Sequence, residues 1–124
     1  MEPITEQRQV PALVVYGYLL LMTAASPSRR AALTRALAGY CDQHELLLAA
    51  VFTDNGGGGV QAPGFTGLLE AISASTSYGL VVPTRAHLGP RPTARQRLAA
   101  IAATGRRLMI VRDAPACAVP GPTW

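Results

Sequence analysis

The sequence predicts an α/β fold, a mostly parallel sheet of four or five strands with helices on both faces. Three observations predict it. Short apolar runs alternate with segments of helical period, in the order β-α-β-α-β-α-β. The apolar runs are nearly continuous, as strands buried on both faces require. Helix start and stop signals, Ser26-Pro27, Pro63 and Gly105, fall between them.

The elements follow in chain order. Leu13 to Met22, LVVYGYLLLM, reads as a central strand. Its small-residue end resembles a signal peptide, but Glu2 and Glu6 outweigh Arg8 before it, and a signal needs a positive leading segment. The run is also shorter than the ~20 residues of a membrane span. Ser26 caps a helix that runs to about His44, with Leu33, Leu37, Tyr40 and Cys41 on one face. His44 then suits the helix C-terminus. Leu46 to Phe52, LLLAAVF, is a second buried strand. Thr53-Asp54-Asn55 and four glycines lead to a helix from Pro63, with Phe65, Leu68, Leu69 and Ile72 inward. Gly79 to Val82 is a third strand and Thr84 to Pro92 a loop. Ala94 to Thr104 is a helix with Leu98, Ile101 and Ala102 inward, stopped by Gly105, and Leu108 to Val111 is a fourth strand. Leu13, Val15, Leu47, Val51, Leu80, Val82 and Ile110 are the expected buried strand residues. One domain over 10–113 is expected, with residues 1–9 and 114–124 as flexible tails.

Composition narrows the function. The chain has 124 residues and a net charge of +4. All eleven basic residues are arginine, which GC-rich coding explains more simply than selection for guanidinium chemistry. The arginines are dispersed, so a solvated surface competes with attraction to an acidic partner such as nucleic acid. Cys41 and Cys117 fit no disulfide framework or metal spacing, and the default is a reducing cytoplasm. No carboxylate cluster suits Mg²⁺, and His44 and His87 lack a third ligand, so no cofactor or metal is expected. The loop Asp54, Gly56, Gly57, Gly58, Gly59 invites a phosphate-loop reading, but there is no lysine to complete one. A connection permissive for positive φ explains the glycines.

Three blocks resemble the catalytic domain of serine recombinases of the resolvase and invertase type. Gly17-Tyr18-Leu19-Leu20-Leu21-Met22-Thr23 matches the register of the family's first-strand block. Phe52-Thr53-Asp54, the glycines and Ala62-Pro63-Gly64-Phe65-Thr66-Gly67-Leu68-Leu69 match the second, and Arg85-Ala86-His87-Leu88-Gly89-Pro90 the third. The resemblance spans roughly 13–112. It implies a nucleophilic serine at Met22, arginines at Leu20, Ala62, His87 and Pro90, and an aspartate at Ala86. The phosphoryl transition state needs those cations and the attack needs an ionisable O–H. This chain has neither at these positions, so the expectation is a protein that is not an enzyme. It is read as a recombinase-like regulatory or assembly module working through a homo-oligomer or a protein partner. Residual DNA binding through Arg85, Arg91, Arg95 and Arg97 is the first alternative, and a small ligand beside the glycine loop the second. Leu20, Met22 and Ala86, being apolar, are expected under cover of a loop or another chain. The long helix and DNA reader that follow this domain in the family do not fit the dozen Pro-containing residues after the last strand. Met1 suits a natural start.

Overall fold

The computed structural model describes residues 13–21, 26–56, 62–74 and 76–112. Four strands form one parallel sheet: β1 (Leu13–Leu21), β2 (Leu46–Asn55), β3 (Gly79–Val82) and β4 (Arg107–Ile110), in the order β2-β1-β3-β4. Three helices connect them: α1 (Pro27–Gln43), α2 (Pro63–Ala74) and α3 (Arg91–Thr104). A 3₁₀ turn, Arg85–Leu88, sits between β3 and α3. The α/β class and the parallel four-stranded sheet stand as expected from the sequence. The tails, Met22, Thr23, Gly57, Gly58, Gly59 and Cys117 lie outside the described residues.

Pleat alternation sends β1 side chains to opposite faces. Val15, Leu19 and Leu21 pack with Val81, Leu37 and Cys41 under α1. Tyr18 joins Leu80 and Val82 against Phe65, Leu68, Ile72 and Ile101 of α2 and α3. The cap signals hold: Ser26 Oγ accepts the Arg29 N–H at 3.1 Å, His44 is the C-cap of α1, and Gly105 adopts φ 75° after α3.

Two of the expected core residues are not core. Leu13 is 48% exposed and Leu47 is 52% exposed, while Val51 and Ile110 are half-buried. The reason is strand order. β2 is an edge strand and only its Asp54 is buried, and Leu13 lies at the amino-terminal rim of the sheet. The loop expected over 84–92 is largely helical, because Arg91 and Pro92 open α3 and Arg85–Leu88 form the 3₁₀ turn. Pro is compatible with a first helical turn, where its missing N–H has no partner to lose.

Candidate functional site

The sheet order reverses direction between β1 and β3, and in open α/β sheets ligands bind at the strand carboxyl ends beside such a point. A cavity of about 190 Å³ lies there, lined by Leu20, Leu21, Arg29, Thr84, Ala86 and His87. A larger groove of about 470 Å³ lies at the amino ends, lined by Leu13, Tyr78, Arg106 and Arg107 among others. It is wide open, and the topology favours the smaller cavity.

His87 is 6% exposed and ties the 3₁₀ turn to the end of β1: its Nδ1 accepts the Leu20 N–H at 2.9 Å. That bond fixes the tautomer, so the neutral ring carries its proton on Nε2. Burial, and then the Arg29 guanidinium, lower the His87 pKa below its ordinary value of 6.5. Arg29 comes from the first turn of α1, whose N-terminal amides add positive potential at the same end.

A second cluster lies behind this rim. Asp54, 7% exposed, accepts hydrogen bonds from the Tyr18 hydroxyl at 2.7 Å and from the Gly64 and Phe65 N–H groups at 2.7 and 2.8 Å. It therefore caps α2 from a neighbouring strand. Gly64 is required by this approach, since a Cβ there would lie 2.5 Å from the Thr53 carbonyl oxygen. Arg97 is fully buried, donates from Nη1 to the Tyr18 hydroxyl at 3.2 Å, and lies 4.7 Å from the Phe65 ring centroid. Burial and the bond to Asp54 push the Tyr18 phenol well above its ordinary 10.0, while Arg97 pulls the other way. The phenol stays protonated and relays between a buried cation and a buried anion.

The structure sorts the expected site residues. Leu20, Ala86 and His87 meet at the cavity; Leu20 is half-buried and packs against the core cluster around Tyr18 and Leu80, while Ala86 is exposed. Ala62 is buried just before α2, and Pro90 is the exposed N-cap of α3. Asp54 is corrected from a loop residue to a buried strand residue, and Gly56 closes a turn onto Leu21. Arg85, Arg91 and Arg95 are exposed. Arg97 is corrected from a surface contact to a core residue. Arg29 and Thr84 were not expected in the site. The signal for Arg29 was its place in the first turn after a buried strand, which puts it at the carboxyl rim.

The carboxyl end of the sheet is basic. Arg29 and Arg30 open α1, Arg85 follows β3, Arg91 opens α3 and Arg112 follows β4, and all five are exposed. Among the described residues, Asp42 and Glu45 lie at the opposite end, Glu70 in the second half of α2, and Asp54, at the carboxyl end of β2, is buried. Among the described residues no cluster of metal-ligating groups occurs and no helix is long and apolar enough to cross a membrane.

No family model matches the chain, and no curated protein matches it in sequence. Solved structures do match. The C-terminal catalytic domain of ISC1926 TnpA, an IS607-like serine recombinase, superposes with TM-score 0.70 at 12% identity, over 80% of this chain and 70% of that one. The N-terminal catalytic domain of TP901-1 integrase gives TM-score 0.65 at 16% identity, over 80% and 77%. The C-terminal catalytic domain of IS1535 TnpA, another IS607-like serine recombinase, gives 0.51 at 25% identity, over 82% and 71%. These are catalytic domains of enzymes, which overturns the expectation that the chain is not one. That expectation rested on residue types in a sequence register. Its central position, Met22, lies outside the described residues, and nothing in the described geometry marks the chain as inactive. In fold, this chain is a serine-recombinase-like α/β domain.

Proposed function

We propose that this domain binds the phosphate backbone of DNA along the carboxyl rim of its sheet, as part of site-specific recombination or its control. The observation that carries the reading is the convergence of Arg29, Arg30, Arg85, Arg91 and Arg112 at one rim. These arginines come from both helix-bearing faces of the sheet, so they make a ridge with the cavity of Arg29, Thr84 and His87 at its centre. Guanidinium groups suit this task because they stay charged and match phosphate oxygens bidentately. Contacts of this type position a protein on DNA and carry no sequence information. Residues 10–113 form the working unit in this reading, and a cytoplasmic setting gives it access to DNA.

Salt dependence tests it. Each arginine that neutralises a phosphate contributes about 0.9 to the slope of log affinity against log salt. Anisotropy of a labelled duplex, measured between about 50 and 200 mM salt, should give micromolar binding and a slope of roughly −3 to −5. Arg29→Ala, Arg85→Ala and Arg91→Ala should each reduce the slope by about 0.9, while Arg107→Ala, at the far end of the sheet, leaves it unchanged. Equal slopes for all four variants would remove the rim from the explanation.

A further inference from the structure

We infer that the hydrogen bond from the Leu20 N–H to His87 Nδ1 is a proton-operated latch: acidification opens it and releases the part of the 3₁₀ turn that carries Arg85 at the carboxyl rim. The latch rests on the geometry around His87 alone; its effect on DNA rests on the reading of the rim given above.

The first observation is the sense of the bond. His87 Nδ1 accepts from the backbone of the penultimate residue of β1 at 2.9 Å. A backbone N–H can only donate, and an imidazolium carries hydrogen on both ring nitrogens. The bond and the charged ring therefore exclude each other. A histidine that donates from Nδ1 to a carbonyl keeps its bond when it is protonated. Here the polarity is reversed, and protonation breaks the link.

The second observation is that the surroundings do not favour a cation in place. His87 is buried, and among the described residues no carboxylate lines its cavity. The charged groups around it are cations: Arg29 from α1, Arg85 from its own turn and Arg91 from the start of α3. On β2, Asp54 is the register partner of Leu20, but its oxygens are engaged by Tyr18, Gly64 and Phe65. Burial and the Arg29 guanidinium hold the ring neutral below its ordinary 6.5. A proton is accommodated by swinging the imidazolium out of the cavity into water.

The third observation is what the latch holds. The His87 and Gly89 N–H groups bond to the Thr84 and Ala86 carbonyls, so these bonds lie within the segment and do not tie it to the sheet. Leu88, 1% exposed, anchors the far end of the turn in the core beside Tyr18 and Leu80. Opening the latch thus frees Arg85 to His87 and leaves Leu88 and α3 seated. Arg85 moves with the freed half, so the rim loses a positioned cation as the ring gains a charge.

An NMR titration of the 124-residue chain from about pH 8 to about pH 5 tests the latch without DNA. The His87 ring should titrate with a midpoint below 6.5. The Leu20 amide should lose its exchange protection, corrected for intrinsic rate, by at least ~10-fold with the same midpoint. In His87→Asn, whose side-chain oxygen accepts at every pH, Leu20 should stay protected throughout. In His87→Arg, which has no acceptor, it should be unprotected throughout. The rim is tested separately. Arg85→Ala should reduce the salt slope of duplex binding by about 0.9 at about pH 7.5 and by less than half of that at about pH 5, but equally at both in a His87→Asn background. Lack of duplex binding at either pH counts against the DNA reading, while the Leu20 amide still decides the latch. A Leu20 amide that stays protected while His87 titrates overturns the proposal. So does a ring that stays neutral down to about pH 5, or the same loss of protection in His87→Asn.

Discussion

Asp54→Ala probes the cluster on which the carboxyl rim rests. The carboxylate accepts three hydrogen bonds of 2.7 to 2.8 Å, and the substitution removes all three at a site 7% exposed. Hydrogen bonds to charged groups contribute about 1.5–3 kcal/mol each, so three sum to roughly 4–9 kcal/mol before relaxation. Relaxation lowers the total, because the N–H groups of Gly64 and Phe65 sit at a helix start where water can reach them once the side chain shrinks. Against this, the Tyr18 hydroxyl, which also accepts from Arg97 Nη1, is left without its buried acceptor, and an unsatisfied buried polar group costs about 1–3 kcal/mol. We expect a loss of about 3–5 kcal/mol, a large part of the roughly 5–15 kcal/mol that holds a domain together. At about 4–8 °C per kcal/mol for a domain near 100 residues, the melting point should fall by roughly 12–40 °C. Asp54→Asn keeps one acceptor and should lose about half as much. Urea denaturation of Asp54→Ala, Tyr18→Phe and the variant carrying both, combined as a double-mutant cycle, measures the coupling. A loss below about 1 kcal/mol for Asp54→Ala would show that the three bonds contribute little to stability.

The remaining predictions concern pH, backbone strain and the arginine rim. His87 has a folded-state pKa below 6.5, so the unfolded chain binds more protons on acidification. Its contribution is complete above 6.5 and is lost as the pH falls through 6.5 toward the folded value. The acid-side drop in melting point should therefore be smaller in His87→Asn, which keeps an acceptor for the Leu20 N–H. Glu45, between α1 and β2, adopts φ 58°, a conformation that costs a residue with a Cβ roughly 1–2 kcal/mol. Glu45→Gly should thus raise stability by about 0.5–1 kcal/mol in urea denaturation once the entropy of glycine in the unfolded chain is subtracted. The salt slopes of the rim arginine variants complete the set.

Local chemistry made most of the fold legible. Ser26-Pro27 marks the start of α1, and the observed strand Gly79–Val82 coincides with the apolar run read from the sequence. The C-terminal end of α3 at Gly105 follows from a glycine able to adopt positive φ. The failures share one cause, dependence on neighbours distant in the chain. Leu47 looks buried because LLLAAVF looks like a central strand, and only strand order reveals an edge. Arg97 looks like a surface residue by its charge; its burial depends on Tyr18 and, through it, Asp54, both far away in the chain. The cavity was half legible. His87, Leu20 and Ala86 were picked out from sequence blocks, whereas Arg29 and Thr84 join them only through the crossover of α1 and the turn after β3.

The thin seat of α1 bears on how the rim behaves in time. Of its seventeen residues only Leu37 and Cys41 are buried, and Leu37 rests where β1 offers a glycine: a Cβ at Gly17 would lie 2.8 Å from it. Few fully buried side chains mean a low free energy for local opening, so α1 is expected to exchange its amides before the sheet does. Arg29 and Arg30 ride on that helix. Their reach is therefore governed by small shifts of a whole helix, on a slower timescale than side-chain rotation, while Arg85 and Arg91 stay referenced to the sheet through the His87 link to Leu20. If the rim holds DNA as proposed, Arg85 and Arg91 supply its fixed jaw and Arg29 and Arg30 its adjustable one.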